Sequence, residues 1–414
     1  MRIGIVAKGC IFSSGTGSEK LFSSLAQGTI ETERRQSLKG DFQINAPFET
    51  GGEVIKEILG RKRYRYFDPQ MFYALFSTKM CLESCPGDLS TIEREQMGII
   101  SAINLPQVRF GAEQVRKTVM NEMISIYAGL AFYFGALVGE TAMEFGYQGE
   151  GLAMLTDFCS VIDGCGQACQ MFGEKDLKAA LLISAEAPVY DFSFYTLRNL
   201  GYYAKAEYVP YSRQSRGFRI GEGGLTLLLG DLDYFSRLNS ENGIMASILS
   251  YTSLNSYHRY WGHRRSWRET LEQVITKCLE RAGVKPAEVD LFLGNAWGIP
   301  TLDEDELEIL NKIFTGGILK ITSSKQVTGI LGATSSGADM ILALECMKNN
   351  LIPPIAHLHR RDVPKRFHHL LTFEKVQRNI QKVLVLSSSL GAGKISAVLL
   401  QKEGFVKTNE RPNH

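Results

Sequence analysis

The sequence predicts an α/β fold of buried sheets assembled from two similar halves. Three observations lead there. Short continuous apolar runs of β type alternate with stretches whose apolar residues recur at three and four, which implies sheets covered by helices. The run AALLISAEA followed by GEGGLTLLLGD is echoed near the end by KVLVLSSS followed by GAGKISAVLLQ. Hydrophobic residues make up 44% of the 414 and charged residues 22%, enough for a large core and incompatible with disorder. The echo places the junction of the halves near Asp231–Gly243. Chance similarity between apolar strands is its alternative origin.

Taken in order, Ile3–Val6 reads as a first strand, and Met71–Glu83 and Ile92–Ile103 read as helices. Ala179–Ser184 and Gly224–Gly230 are continuous apolar runs, as expected of strands buried on both faces in a mostly parallel sheet. Arg268–Ala282 is an amphipathic helix and Val289–Leu293 a strand. Asp303–Ile313 and Ala338–Met347 read as helices, and Val383–Ser387 and Ile395–Leu400 close the chain as strands.

The function classes narrow quickly. Forty-six basic against 44 acidic residues give a net charge of +2, no composition for a polyanion binder, so nucleic acid is not the expected partner. The most apolar window, Ile124–Val138, is interrupted by Gly129 and Gly135 and falls short of the ~20 residues of a membrane helix. The N-terminal apolar stretch is too short for a signal peptide, and the expected location is cytoplasmic. The eight cysteines form no disulfide framework for a chain this long and read as reduced core residues. The set Cys159, Cys165 and Cys169 has no nearby histidine and no CxxC pair, so no metal is expected.

Five segments, in order, carry a resemblance. They are TDFCSVIDGCGQA (Thr156–Ala168), VPYSRQSRGFRIGEGG (Val209–Gly224), VDLFLGNAWGIPTLDEDELEI (Val289–Ile309), SSKQVTGILGATSSGADM (Ser323–Met340) and SSSLGAGK (Ser387–Lys394). Together they resemble the β-ketoacyl synthase family of condensing enzymes. That resemblance implies a thiolase fold, with duplicated halves forming a layered α-β-α-β-α sandwich, divided here into residues 1–240 and 241–414. It implies no cofactor.

In that chemistry a cysteine at a helix N-terminus takes the acyl chain as a thioester, its thiolate favoured by the helix dipole. Two histidines then assist decarboxylation and stabilise the oxyanion. Here the positions matching the histidines hold Trp297 and Ile330, while Lys325, Thr328, Asp305 and Glu308 still match. Counted back from SAEAP without gaps, the cysteine position falls on Phe158. A one-residue gap would restore Cys159 as nucleophile, but still without either histidine. Tryptophan and isoleucine cannot shuttle a proton.

This loss pattern resembles the chain length factors, or ketosynthase β subunits, of type II polyketide synthases. Thr156, Asp157, Ile162 and Asp163 follow that subfamily's pattern, and Phe158 departs from it where many members have glutamine. The run Ser125–Glu140 resembles the subfamily's aromatic interface segment. By that resemblance Tyr127, Phe132, Phe134, Ala136 and Leu137 line a tunnel that limits polyketide growth; an ordinary core helix is the competing reading. The implied partners are a catalytic ketosynthase α subunit, in a heterodimer, and an acyl carrier protein bearing the phosphopantetheine-bound polyketide, an aromatic polyketide being one candidate product. Two other readings stay open: a self-sufficient acyltransferase using Cys159, and a structural partner in a polyene or other lipid pathway. The basic groups Arg61–Arg65 and His359, Arg360, Arg361, Lys365 and Arg366 suit a solvated face or carrier-protein docking. GEGG at 221–224 lacks the ending of a phosphate loop and reads as a tight turn.

Overall fold

Ten strands follow one another across a continuous sheet path, and the path is one five-strand pattern used twice. The computed structural model describes residues 2–35, 42–45, 68–129, 133–188, 191–204, 208–238, 243–257, 263–390 and 393–404. The first five strands are β1 (Ile3–Phe12), β2 (Met97–Ala102), β3 (Gly151–Met154), β4 (Ala179–Glu186) and β5 (Gly223–Asp231). The second five are β6 (Ala246–Asn255), β7 (Leu291–Leu293), β8 (Lys320–Thr322), β9 (Lys382–Ser388) and β10 (Lys394–Lys402). Their spatial order is β8-β7-β9-β10-β6-β1-β5-β4-β2-β3. Each half therefore runs third, second, fourth, fifth, first, and the halves meet where β1 pairs antiparallel with β6 at Gly4–Ser247 and Ile5–Ala246. The two echoed sequence runs are the equivalent pairs β4/β5 and β9/β10. The junction at 239–242 lies outside the described residues.

The sheet is mixed rather than mostly parallel. Within each half the second strand pairs parallel with the third and fourth. The fifth pairs antiparallel with the fourth and the first. Helices cover both faces, so antiparallel strands are also apolar at every position, and a continuous apolar run does not report strand direction.

The helices that matter for the site are α1 (Ser18–Gln27), α2 (Pro69–Glu83), α3 (Val108–Val119), α4 (Ala136–Phe145), α5 (Ser160–Glu174), α6 (Arg264–Ala282), α7 (Pro300–Ile313) and α8 (Thr334–Asn349). α2 covers the outer face of the first half, on β1, β4 and β5, and α6 covers the second, on β6 and β10. α5 and α8 each touch strands of both halves and form the middle layer of an α-β-α-β-α stack. Every residue of α8 from Thr334 to Met347 is buried, so it carries no polar stripe. Close approach in this layer demands small residues. A Cβ on Gly166 would stand 2.4 Å from the Tyr251 ring.

Two sequence expectations change. Ile92–Ile103 is not a helix: short 3-10 turns lead into β2, where Met97–Ala102 are buried throughout. A strand buried on both faces places apolar residues everywhere, and some then fall at helical spacing. The run Ser125–Glu140 is not one helix either. α4 begins only at Ala136, behind Gly135, and residues 130–132, which include Phe132, lie outside the described residues. In contrast, β1 extends six residues beyond the expected Ile3–Val6. The polar break at Lys8 is absorbed by a buried ion pair with Glu345 at 2.9 Å. No described helix is long and apolar enough to cross a membrane.

Candidate functional site

Three segments converge behind the end of β3. The first is a turn into α5. Asp157 adopts a left-handed backbone, φ 58°, at a cost of about 1 kcal/mol for a non-glycine residue. A 3-10 turn, Asp157–Cys159, follows and leads into α5. This geometry separates the two nucleophile candidates. Phe158 projects into an apolar cluster, its ring edge-on to Trp297 with centroids 4.9 Å apart and planes at 83°. Cys159 is fully buried on the other side, its thiol donating to the Ser387 carbonyl at 3.3 Å. Burial, then the negative charge of Asp163, pushes that thiol up to about 12, so it carries no thiolate at neutral pH.

The second segment is the loop between β7 and α7. Ala296 and Gly298 take left-handed conformations on either side of Trp297. Asp303, in the first turn of α7, holds the loop: its carboxylate accepts the backbone N–H of Trp297 at 2.8 Å, Gly298 at 2.9 Å and Tyr211 at 2.8 Å. One turn on, Glu306 accepts from the Asn295 backbone at 3.0 Å, the Asn295 amide at 2.8 Å and the Tyr211 hydroxyl at 2.8 Å. Burial raises the Asp303 carboxyl to about 7 despite the donors around it, and raises Glu306 as well.

The third is the turn after the short helix Lys325–Thr328. Ile330 is locked by backbone bonds to Arg219 at 2.8 Å and from Gly221 at 2.9 Å. The Lys325 ammonium pairs with Asp339 and donates to the Gly294 carbonyl at 2.6 Å, joining this turn to the Trp297 loop. The Thr328 hydroxyl donates to the Gly329 carbonyl at 2.8 Å.

Phe158, Trp297 and Ile330, some 140 and 30 residues apart in the chain, thus share one apolar cluster with Tyr208, Phe218 and Leu302. Trp297 and Ile330 are 2% and 3% exposed. The described side chains of the cluster include the indole N–H and the Tyr208 hydroxyl, which donates to the Ala296 carbonyl, but no carboxyl, thiol or imidazole; Asp303 reaches its edge through the backbone of the Trp297 loop.

The other sequence candidates are dispersed. Asp305 is buried but faces away, held by Arg264 at 2.8 Å and Arg268 at 3.1 Å, and Glu308 pairs with Arg366 at 2.5 Å. The acidic pair that reaches the site is Asp303 and Glu306. The run DEDELE fits an i, i+3 acidic pair twice, at 303/306 and at 305/308. Asp163 ties the central layer together, accepting from Tyr251 at 2.7 Å and Ser396 at 2.6 Å beside Lys394. Burial raises the Asp157 carboxyl, and it raises neighbouring Glu186 to about 8. Tyr208, Tyr211 and Phe218 also escaped the sequence reading. They sit in the quoted Val209–Gly224 region or just before it, where only the glycines drew notice.

Of the interface candidates, Tyr127 and Phe134 are 38% and 46% exposed, while Leu137 is 4% exposed and packs with α2 residues, with Ala136 beside it. Around them stand Val119, Met120, Met123, Ile126 and Met143, all more than half exposed. This apolar face adjoins β3, which pairs on one side only among the described residues. The opposite sheet edge is covered, since Ile321 of β8 bonds to Leu370 at 2.8 Å and from Thr372 at 3.3 Å. All eight cysteines are free, and no group of three metal-ligating side chains occurs among the described residues.

Comparison with known proteins decides the lineage. The N-terminal domain model of β-ketoacyl synthases matches residues 1–233, and the C-terminal domain model matches 245–359. The chain belongs to the β-ketoacyl synthase family. Within that family it is similar to the tetracenomycin polyketide synthase ketoacyl synthase beta subunit of Streptomyces glaucescens, 23% identical over 97% of this chain and 98% of that one. Among solved structures, the ishigamide ketosynthase/chain length factor superposes with a TM-score of 0.83 at 18% identity, over 97% of this chain and 99% of that one. A type II polyketide synthase ketosynthase bound to its acyl carrier protein gives 0.79 at 18% identity, with the same coverage. These neighbours have the thiolase-like fold described above.

Proposed function

We propose that this chain is a chain length factor: the non-catalytic partner of a catalytic ketosynthase, shaping the tunnel in which a carrier-protein-bound polyketide grows. One observation carries the reading. The three positions that would hold a cysteine and two histidines are filled by Phe158, Trp297 and Ile330, packed against one another, while the surrounding polar scaffold of Lys325, Asp339, Asn295 and Glu306 remains. The scaffold survives without its reacting groups. The β3 edge, paired on one side only among the described residues, and the apolar face beside it supply what a partner subunit would bury.

In this role the pair shields a reactive poly-β-keto chain from water and from premature cyclisation. The exposed rings of Tyr127 and Phe134 are the wall residues, and Ala136 stands next to them. The two halves divide at 240/241. The site of action is the cytoplasm, where eight free thiols stay reduced. The acyltransferase reading would need Cys159 to reach substrate, and its burial against the Ser387 carbonyl weighs against that.

Size-exclusion chromatography with and without a catalytic ketosynthase tests the proposal. The expected result is self-association alone and a one-to-one dimer with the partner, burying more than ~2,000 Å². A well-behaved monomer that ignores the ketosynthase overturns it. In the assembled pair Cys159→Ala leaves condensation unchanged; acylation at Cys159 and loss of turnover in that variant would establish the acyltransferase instead.

A further inference from the structure

A cleft of about 430 Å³ opens at the end of the molecule away from the filled site. It lies between β1, the N-terminus of α1 and the C-termini of α2 and α8. α8 starts just after Ile330 and ends at this cleft, so at about 1.5 Å per residue the two places are roughly 20 Å apart. The volume falls within the range of small-ligand sites.

The cleft holds a buried charge. The Lys8 side chain enters it from β1 and is only 9% exposed. Among the described residues its ammonium has one partner for three N–H donors, Glu345 of α8 at 2.9 Å. Glu345 is better served, since it also accepts from the Ser18 hydroxyl at 2.7 Å and the Asn349 amide at 3.2 Å. A buried ammonium with donors left over, beside an open volume, favours a ligand that brings acceptor oxygens.

A carboxylate already holds the place such a ligand would take. Glu19, in the first turn of α1, has a side chain 67% exposed and pairs with Lys348 at 3.2 Å. Desolvation works against its charge, but its own backbone N–H, Lys8 and Lys348 hold its carboxyl below the ordinary range. The N-cap, Gly17, brings no side chain, so Glu19 is the group that faces this helix end.

Charge and lining then define the ligand. With Glu19 turned out to solvent, Lys8 and Lys348 stand against Glu345, a surplus of one positive charge. Glu83 also borders the cleft, but its side chain is 63% exposed and lies 3.8 Å from Lys79. The surplus suits one negative charge better than a phosphate dianion. Val6, Met80 and Met245 give the remaining wall an apolar surface, and methionine adapts to irregular shapes. Burial raises the Cys10 thiol to about 12 and raises Cys85 too, so the thiols of the cleft stay neutral and supply no nucleophile.

We propose that this cleft binds a small monocarboxylic acid with a short apolar chain, its carboxylate on Lys8 and Lys348 in place of that of Glu19. The site is separate from the filled one and does not rest on the functional reading above.

Hexanoate is the probe, titrated calorimetrically into the full-length chain at neutral pH. The expected result is one-to-one binding with a dissociation constant on the order of 0.1–1 mM. Hexanamide has the chain without the charge, and inorganic phosphate has charge without the chain; each should bind at least about tenfold more weakly. Glu19→Gln removes the competing carboxylate and should tighten hexanoate binding about threefold, at an unchanged melting temperature. Lys8→Met combined with Glu345→Gln removes the ion pair without stranding either charge, and should abolish binding. Absence of saturable hexanoate binding in both the parent and Glu19→Gln overturns the proposal. So does phosphate or hexanamide binding as tightly as hexanoate, or hexanoate binding that survives in the folded double variant. If the double variant does not fold, Glu19→Gln decides alone, and an affinity no tighter than the parent's overturns the assignment.

Discussion

Removing the indole of Trp297 measures how firmly the site is filled. The side chain is 2% exposed, edge-on to Phe158 at 4.9 Å and tilted by 45° over Phe218 at 5.7 Å. Truncating a buried ring of this size to alanine costs about 4 kcal/mol, and loss of the edge-to-face pair adds about 1 kcal/mol. With an unfolding entropy of about 2.1 cal/mol/K per residue, a cost of about 5 kcal/mol lowers the melting temperature of a chain this long by about 6 °C. Trp297→Phe keeps a ring against Phe158 and should cost about a third as much. Differential scanning calorimetry of the assembled pair reads the stability, and mass spectrometry of its products reads the chemistry. A filler has no role in the reaction, so Trp297→Phe should leave both turnover and product length intact. A Trp297→Phe pair that assembles and melts normally yet fails to condense would refute the reasoning, because the position would then act on the reaction. So would a Trp297→Ala variant with an unchanged melting temperature.

Phe134 tests the tunnel. Its ring is 46% exposed in this chain, so Phe134→Ala should cost well below the 3–5 kcal/mol of a core phenylalanine, and the pair's product should gain one or two two-carbon units by mass spectrometry. Ala136→Trp should shorten the product or stop synthesis, and invariant product length in both variants would make the segment plain packing. Glu186 tests the electrostatics. Burial, opposed by the N–H groups of Asn104, Leu105 and Ala333, holds its carboxyl at about 8 against an ordinary value near 4.5. The folded state keeps that proton where the unfolded state has lost it, so this group's stabilisation is full below about pH 4.5 and is lost as pH rises to 8. Glu186→Gln should flatten the fall in melting temperature between pH 5 and 8.5, and a slope parallel to the parent's would refute the assignment.

The sequence made the scaffold legible where a constraint leaves one solution. Strands covered on both faces must be apolar at every position, which exposed β4, β5, β9 and β10 and, through their echo, the repeated half. The same constraint hid β2, because an all-apolar run also contains helical spacings. It hid strand direction too, since apolarity reports burial and not polarity of the chain. In the site, Trp297 and Ile330 were legible from spacing within motifs. The acidic pair was not, because 303/306 and 305/308 satisfy the same rule and only burial against the Trp297 loop separates them. The side that Phe158 faces became definite through the left-handed turn at Asp157, a backbone property that side-chain type does not announce.

The place of β1 has a consequence for synthesis. It is made first, yet it sits at the centre of the sheet, and its main partner is β5, over Ile3–Asp231 to Ile11–Gly224. At 5–20 residues per second the strand waits roughly 10–45 s for that partner to leave the ribosome. β6 repeats the delay, since it pairs with β10, at the far end of the second half. Both halves therefore close only on their last-made strand, and each first strand waits through most of its half's translation for its main partner. High contact order of this kind makes folding slow, and it makes the ribosome-bound interval the period when this chain depends most on chaperones.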